Sequence, residues 1–278
     1  MSSPVSPPST QHSAGVRPVV VVPCFNEEPR LDEQAFLDLV ETGGVRLVFV
    51  NDGSTDGTGL VLERLGQMSA DIEVLELSRN GGKAEAVRRG LLYAIAEGAL
   101  VVGYLDADLA TPGSELLRMV RILEARADLA VVFGSRVARL GSHIERSPFR
   151  HYTGRVFATI ASWALDAAVY DTQCGAKVFR VNENLIAAVD RPFQSAWSFD
   201  VFLCQRLLDG TPGLPGLPIS SFLELPLDAW TDIAGSKVDV RSSVAAAWDV
   251  FVMGVERRRR RRSIERPGPA SPEQTSAK

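Results

Sequence analysis

Cysteine and long apolar runs are both scarce in this chain of 278 residues. The three cysteines, Cys24, Cys174 and Cys204, lie far apart and form no C-x-x-C pair, which excludes a disulfide framework and a cysteine-based zinc site. A membrane-spanning helix needs about 20 consecutive apolar residues. The best candidate, residues 244–255, is shorter and is interrupted by Asp249, so we predict no transmembrane helix. The N-terminus also lacks the charged and apolar segments of a signal peptide, and we therefore expect a cytoplasmic protein.

An excess of positive charge and a catalytic histidine pattern are missing as well. The formal net charge is −4, whereas nucleic-acid-binding proteins are usually basic, so we expect no nucleic-acid partner. His12 lies in a terminal segment, and neither His143 nor His151 has the acid and nucleophile of a hydrolase triad beside it. The glycine motif of dehydrogenases is absent after the first predicted strand, and the P-loop motif is absent throughout. These two nucleotide-binding classes are therefore excluded.

The composition is that of a globular domain with flexible ends. Hydrophobic residues make up 45% of the chain and charged residues 23%, which excludes wholesale disorder. Both ends are rich in Ser and Pro. We assign residues 17–255 to a single domain, with a disordered tail at 1–16 and a polybasic, disordered tail at 256–278.

Short apolar runs alternate with amphipathic segments in the first half of the chain. The runs, which are typical of strands buried on both faces, occupy residues 19–22, 47–50, 73–77, 100–105 and 129–133. The amphipathic segments, which predict helices, occupy residues 31–40, 58–68, 83–96 and 114–125. This alternation predicts an α/β fold with a mostly parallel sheet flanked by helices.

Polar clusters follow four of the predicted strands. They are residues 23–28, 51–57, 79–83 and 106–108. Because ligands of open parallel sheets bind beyond the carboxyl ends of the strands, we expect the four clusters to meet at one edge. Such convergence favours a binding site over four unrelated turns.

Asp106 and Asp108 form a D-x-D pair at the end of the fourth predicted strand. Their carboxylates can hold Mg²⁺ or Mn²⁺, hard cations that take oxygen ligands and bridge substrate phosphates. The pair alone also fits a solvated turn in which the second acid caps a helix. Asp52 can accept hydrogen bonds from a base or ribose, although its segment equally fits ordinary turn chemistry. The glycine loop before Lys83 either opens a helix or offers amides to a diphosphate.

The segments VVVPCFNEE, VNDGSTDGT, RNGGKAEAVRRG and LDADLATP, in this order and spacing, resemble family 2 glycosyltransferases with the Rossmann-like GT-A fold. The later segments FGSR, YDTQCGAKVFR, SFDV and AWTDIAGSKV resemble the dolichyl-phosphate β-glucosyltransferase branch, to which polyprenyl-phosphate mannose synthases are closely related. The resemblance covers roughly residues 18–250. It implies an inverting transfer from a nucleotide sugar, with Mg²⁺ or Mn²⁺ held by Asp106 and Asp108.

The resemblance also implies a role for other residues. Those implied for the donor nucleotide are Pro23, Asn26, Glu27, Asp52 and Lys83, together with Asp106. Those implied for the acceptor side are Asp171, Gln173 and Lys177, with Ser236 and Lys237 closing over the diphosphate.

A lipid monophosphate acceptor needs little help from a base, because its second pKa lies near ~6 and an oxygen is already anionic at pH 7. The enzyme must instead supply cations, and five arginines fall within residues 136–155. We predict that Arg136 and Arg155 bind the acceptor phosphate, because arginine forks match phosphate oxygens. A basic, solvated helix face is the alternative. For a hydroxyl acceptor, Asp200 is the candidate catalytic base, and its structural alternative is a helix cap.

Two features depart from, or add to, the branch pattern. Phe202 stands where the branch tends to have Glu. Six consecutive arginines, the first Arg257 and the last Arg262, follow the apolar stretch 244–255. A polybasic block beside such a stretch is typical of contact with an anionic membrane surface, with a solvated tail as the alternative. We therefore expect a protein peripheral to the inner face of a membrane.

These observations predict transfer of glucose from UDP-glucose to a polyprenyl or dolichyl monophosphate, forming a β linkage. Mannose transfer from GDP-mannose, and transfer to a soluble hydroxyl with Asp200 as base, are the enzymatic alternatives. A catalytically silent nucleotide-binding module is the alternative from another class, and the intact Asp52, Asp106 and Asp108 argue against it.

Overall fold

The structure, a computed structural model, describes residues 17–145, 148–233 and 240–265. The predicted N-terminal tail, residues 266–278 of the predicted C-terminal tail, and both Ser236 and Lys237 lie outside the described residues.

The described chain alternates strands and helices. The strands are β1 (Val19–Cys24), β2 (Arg46–Asn51), β3 (Ile72–Glu76), β4 (Val101–Leu105), β5 (Val131–Ser135), β6 (His143–Glu145), β7 (Ala176–Arg180), β8 (Gly210–Thr211), β9 (Leu214–Pro215), β10 (Phe222–Pro226) and β11 (Ala229–Thr231). The helices are α1 (Glu33–Gly43), α2 (Thr58–Met68), α3 (Lys83–Ala96), α4 (Gly113–Ala125), α5 (Pro148–Leu165), α6 (Glu183–Val189), α7 (Phe199–Asp209) and α8 (Val240–Glu265). The strands and helices predicted in the first half are all present, with ends shifted by a few residues.

Seven of the described strands form one sheet, in the order β10-β5-β7-β4-β1-β2-β3. Neighbours pair in parallel except at β7, which lies antiparallel between β4 and β5. Two small sheets, β6 with β11 and β8 with β9, lie outside it. The predicted mostly parallel α/β sheet is confirmed, with one antiparallel strand that the sequence pattern did not indicate.

Helices cover both faces of the main sheet because its strands are apolar on both sides. In β1, Val20 and Val22 belong to a core shared with α1, α2 and α4, whereas Val19 and Val21 belong to a second core shared with α3, α6 and α7. Successive side chains of a strand point to opposite faces, so one run of valines fills both cores. The sheet is thereby held rigidly, and its carboxyl edge is left to the polar loops.

Helices α5 and α8 form a further layer on the outer side of α7. One apolar cluster contains Val201 of α7, Ala161 of α5 and Val250 of α8. Phe202, the departure from the branch pattern, is buried in the same cluster. The Phe202 ring therefore packs between helices and does not lie at the polar edge of the sheet.

The C-terminal tail was predicted to begin at residue 256, and in the structure helix α8 continues to Glu265. Arginine is a good helix former. Arg257 anchors the extension, since its Nε donates to Asp209 Oδ1 at 2.7 Å and its Nη1 donates to the Leu165 carbonyl at 2.5 Å. The run of arginines suggested solvent-exposed side chains, but Arg257 is paired with Asp209, the last residue of α7. Among the described helices, none is both long and apolar enough to span a bilayer.

Candidate active site

The loops after β1, β2 and β4 meet at one edge because these strands are neighbours that run in the same direction. Lys83, the first residue of α3, joins them, with its Nζ 2.5 Å from Asp106 Oδ1. Asp52 joins the end of β2 to the glycine loop that precedes α3. The four polar clusters that the sequence placed at strand ends therefore form one continuous site.

The loop after β1 is held by the loop after β2. The Asn26 amide donates to Ser54 Oγ at 3.1 Å, and Asn26 Oδ1 accepts from the Thr55 amide at 2.8 Å. Asn26 has a φ of 53°, in the left-handed region that Asn adopts more readily than most residues. The structure thus fixes Asn26 at the edge where a donor nucleotide was predicted to bind.

Glu27 follows in the same loop, one turn before α1. Its amide donates to Thr58 Oγ1 at 2.8 Å, and its carboxylate lies 2.5 Å from the guanidinium of Arg30. Pro23 precedes this loop within β1 and is half-buried. Pro23 and Glu27 therefore stand at the predicted edge, and their contact with a base or ribose stays a prediction.

Asp52 is buried at the end of β2 and shapes the glycine loop. Its Oδ1 accepts from the Gly81 amide and its Oδ2 accepts from the Gly82 amide, each at 2.7 Å. Burial raises the pKa of this carboxyl, and the two amide hydrogen bonds oppose that rise. Gly82 has a φ of 86°, which side chains disfavour. Asp52 therefore orders the loop in front of Lys83, and direct contact with the nucleotide stays a prediction.

Asp106 lies between Lys83 and Gly175. Burial opposes the charge of Lys83, but Asp106 and, beyond it, Asp200 raise the pKa of the ammonium, which keeps it protonated. The Asp106 amide donates to the Gly175 carbonyl at 3.0 Å. A Cβ at Gly175 would lie 2.0 Å from Asp106 Oδ2, so this carboxylate has room only because residue 175 is glycine.

Asp108 stands two residues further along, on the turn before α4. Burial and the negative charge of Asp106 raise the pKa of its carboxyl, against a 3.1 Å hydrogen bond from the Ala110 amide and the charges of Lys83 and Arg30. Among the described residues, no three His, Cys, Asp or Glu side chains are grouped to hold a metal. A cation bound by these two aspartates would therefore take its other oxygens from a ligand or from water.

Arg136 and Asp171, both predicted on the acceptor side, are bound to each other. Arg136 Nε lies 2.6 Å from Asp171 Oδ2 and Nη2 lies 2.8 Å from Oδ1, a two-point ion pair. Burial opposes the charge of Arg136, but Asp171 raises its pKa further, so the guanidinium stays charged. It also lies 5.3 Å above the Trp230 ring. Asp171 therefore takes two of the donors of Arg136, and a contact between Arg136 and an acceptor phosphate stays a prediction.

Arg155 differs from Arg136 in its partners. Its guanidinium lies 3.9 Å above the ring of Tyr170, the residue before Asp171, and it is only half-buried. Gln173 Nε2 donates to the Trp197 carbonyl at 3.2 Å. Of the other arginines in the predicted cluster, Arg139 pairs with Asp228, while Arg146 and the side chain of Arg150 lie outside the described residues. Arg155 is therefore the best-placed described cation for an acceptor phosphate.

Lys177 and Asp200 lie beneath the site. Lys177 is 1% exposed; its Nζ is 2.7 Å from Asp200 Oδ1 and donates to the Cys174 carbonyl at 2.8 Å. The Tyr104 hydroxyl donates to the same carboxylate, and burial raises the pKa of that phenol. The charge of Lys177 thus neutralises a buried acid, and a contact of Lys177 with the acceptor stays a prediction. A carboxylate held by an ammonium and a phenol is also badly placed to act as a base.

Three residues of this region were not predicted from the sequence: Arg30, Tyr104 and Glu224. Glu224 accepts from the Asp171 amide at 2.6 Å and from the Tyr170 amide at 2.8 Å, so it holds the acceptor-side segment in place. It is the one acid inside the otherwise apolar strand β10, and that isolation was a usable signal. The ion pair of Arg30 and the buried Tyr104 had no comparable signal.

Comparison with known proteins agrees with this geometry. Residues 19–182 match the family model described as Glycosyl transferase family 2. The chain is 31% identical to a dolichyl-phosphate beta-glucosyltransferase of Dictyostelium discoideum, over 83% of this chain and 72% of that protein. It is 26% identical to a polyprenol monophosphomannose synthase of Mycolicibacterium smegmatis, over 84% of this chain and 87% of that protein.

A solved structure shares the fold. Glucosyl-3-phosphoglycerate synthase from Mycobacterium tuberculosis, crystallised with Mn²⁺, UDP and glucosyl-3-phosphoglycerate, superposes with a TM-score of 0.63 at 20% identity. The match covers 88% of this chain and 80% of that one, and it shows the GT-A architecture. Because the family match spans more than half of the sequence and includes the strands and loops that build the site, the chain belongs to glycosyl transferase family 2.

Proposed function

We propose that this glycosyltransferase moves glucose from UDP-glucose to the phosphate of a dolichyl or other polyprenyl monophosphate, giving a β-linked product. The observation that carries the proposal is the 31% identity, maintained over 83% of the chain, to a dolichyl-phosphate beta-glucosyltransferase. The site supports it, since the polar edge joins the loops after β1 and β2 to an acid pair and a lysine. Inversion follows from the β-linked product of these relatives, if the donor carries an α linkage.

The residues at the carboxyl end of β4 fit a divalent cation. Asp106 and Asp108 offer hard oxygen ligands, and burial together with the charge of Asp106 raises the pKa of Asp108, a repulsion that a cation relieves. When bound, Mg²⁺ or Mn²⁺ supplies Lewis-acid stabilisation of the charge on the departing diphosphate. Lys83 adds a fixed positive charge, and its ion pair with Asp106 keeps the ammonium within reach of the same phosphates.

The state of Asp200 favours a phosphate acceptor over a hydroxyl acceptor. A hydroxyl needs a general base, but Asp200 is bound to Lys177 and Tyr104 beneath the site. A phosphate monoester brings its own anionic oxygen, since its second pKa is near ~6. Arg155, stacked on Tyr170, is the side chain that we assign to this phosphate, with Gln173 as a further predicted contact. Ser236 and Lys237 stay predicted to close over the diphosphate of the donor. Asp171 acts through Arg136, which it holds in place.

Mannose transfer from GDP-mannose is a second candidate, favoured by the similarity to a polyprenol monophosphomannose synthase. A radiochemical assay separates the two. The purified chain is incubated with Mn²⁺, dolichyl or undecaprenyl phosphate, and either radiolabelled UDP-glucose or radiolabelled GDP-mannose, and the lipids are extracted into organic solvent. We expect label in the organic phase from UDP-glucose, and loss of that label in Asp106→Asn. Label from GDP-mannose alone, or from neither donor, contradicts the proposal.

A lipid acceptor also requires that the protein work at a membrane surface. The six arginines from Arg257 to Arg262 were predicted to provide the contact, but Arg257 is buried and paired with Asp209. We propose a peripheral protein at an anionic membrane, in which the rest of this run contributes and Arg257 does not.

A further inference from the structure

Exposed apolar side chains are concentrated on the outer sides of α5 and α8. We call this surface the aromatic face, and it consists of Tyr152, Val156 and Trp163 on α5 and of Val244, Trp248 and Phe251 on α8. Tyr152, Val156 and Trp163 are spaced by four and seven residues, so they share one side of α5. Single exposed apolar residues are common on protein surfaces, but a contiguous group of them indicates an interaction site.

The two helices present these side chains as one surface. The rings of Trp163 and Phe251 are stacked with centroids 5.3 Å apart, and Phe251 lies 5.8 Å from Trp248. Gly254 allows the close approach of the helices, because a Cβ there would lie 2.5 Å from Trp163. Trp248 remains 64% exposed in this arrangement. The face is therefore built by the packing of α5 on α8 and is still open to a partner.

Helix α8 has two apolar sides, of which one is buried against the domain and the other is largely exposed. Ala246, Val250 and Met253 are buried against the neighbouring helices, while Trp248 and Phe251 lie on the other side. A helix that merely covers a globular domain is polar on its outer side. The second apolar side of α8 thus packs only in part, through the stacking of Phe251 on Trp163, and it leaves Trp248 largely exposed.

Positive charge borders the aromatic face at the end of α8. The guanidinium of Arg258 lies 4.8 Å above the ring of Trp163, and Arg259 and Arg260 are exposed on the same turn. Tryptophan and tyrosine favour the headgroup level of a bilayer, and nearby cations are attracted to anionic lipid. Apolar rings bordered by arginines are the chemistry that matches such a surface.

We propose that the aromatic face docks on an anionic lipid bilayer and that α5 thereby brings the acceptor side of the catalytic site to the membrane. This step rests on the proposed function. Arg155 lies on α5 between Tyr152 and Trp163 in the sequence, and it stacks on Tyr170 beside the Arg136–Asp171 pair. One helix therefore carries both the docking side chains and the cation assigned to the phosphate of the lipid.

Vesicle flotation tests the docking surface. The full chain is mixed with vesicles of phosphatidylcholine and phosphatidylglycerol, or of phosphatidylcholine alone, and the bound fraction is measured. We expect preference for the anionic vesicles and a loss of about tenfold or more in partitioning for Trp248→Ser/Phe251→Ser, because two large rings no longer enter the interface. Arg259→Glu weakens binding to the anionic vesicles only. The matched control is Leu60→Ser/Leu100→Ser, which removes two exposed apolar side chains elsewhere, and it is expected to bind like the wild type.

Three readouts keep the outcomes distinct. Equal flotation of Trp248→Ser/Phe251→Ser and the wild type overturns the proposal. Light scattering that shows a dimer for the wild type and a monomer for this variant also overturns it, because the face would then be a dimer interface. Quenching of wild-type tryptophan fluorescence by brominated lipid supports it even if a variant folds poorly, and absence of quenching contradicts it. Transfer to a short, water-soluble prenyl phosphate is expected to survive in Trp248→Ser/Phe251→Ser. Flotation without any transfer by the wild type would leave docking standing and refute the proposed function.

Discussion

Replacing Gly175 by alanine perturbs the candidate metal site without removing a functional group. Gly175 has no side chain, and a Cβ there would lie 2.0 Å from Asp106 Oδ2 and 2.4 Å from the Asp106 carboxyl carbon. Ordinary contact requires about 3.4 Å or more, so the carboxylate must turn away by more than 1 Å. A misplacement of about 1 Å near the reacting groups can cost ~100-fold in rate. We expect kcat/KM for glucose transfer to fall by about that factor, and Mn²⁺ affinity to fall with it.

The assay compares Gly175→Ala with Gly66→Ala. Gly66 lies on helix α2, and a Cβ there would lie 3.6 Å from its nearest atom, Cγ2 of Val74 on β3. This control therefore adds a methyl group without a clash and raises helix propensity by about 1 kcal/mol. Overpacking at Gly175 is expected to cost about 1–3 kcal/mol of unfolding free energy, which leaves a folded protein to assay. Full transfer activity and unchanged Mn²⁺ affinity in Gly175→Ala would refute the reasoning, because Asp106 would then not need its present position.

Three further predictions concern charges. Lys177→Met leaves the Asp200 carboxylate buried without its counter-ion, so urea unfolding should show a loss of about 3–5 kcal/mol in the free energy of unfolding. The double variant Lys177→Met/Asp200→Asn should recover part of this loss. An equal loss in both variants would contradict the ion-pair explanation. In the same measurement, Arg257→Gln should lower the free energy of unfolding by about 3 kcal/mol and Arg259→Gln should leave it almost unchanged, since only Arg257 is buried against a carboxylate. Similar losses in the two variants would mean that Arg257 does not anchor this end of α8. Asp108→Asn should melt at a higher temperature than the wild type at pH 7. The pKa of the Asp108 carboxyl is raised in the folded protein, so this group favours the fold only when it is protonated, and its contribution is lost as the pH rises through the raised pKa. The advantage should vanish below pH ~4, and its persistence there would refute the burial argument.

The sequence predicted the features that depend on local pattern. The valine run of β1 and the apolar run of β4 required strands buried on both faces, and parallel strands necessarily bring their carboxyl ends to one edge. The convergence of Asn26, Asp52 and Asp106 followed from this rule alone. The family resemblance then supplied roles that geometry could not.

Contacts between distant segments were not predictable in the same way. Lys177 meets Asp200 only because β7 enters the sheet antiparallel beside β4, where Tyr104 and Lys177 are opposite each other, and no local pattern encodes that insertion. Arg136 was expected to bind the acceptor phosphate, and nothing in its local sequence indicated that Asp171 lies beside it in the fold. The arginine run was assigned to a tail because of its composition, whereas in the structure Arg257 is held by Asp209 on another helix.

We propose that Asp106 and Asp108 hold one divalent cation that binds the diphosphate of a nucleotide sugar at the carboxyl edge of the sheet. The most direct measurement is a crystal structure with UDP-glucose and Mn²⁺, using anomalous scattering to locate the metal. The account predicts a manganese peak within about 2.0–2.6 Å of oxygens from both aspartates or from one of them and the diphosphate, with the uracil near Asn26 and Asp52. A manganese ion elsewhere, or a nucleotide bound away from this edge, would contradict it.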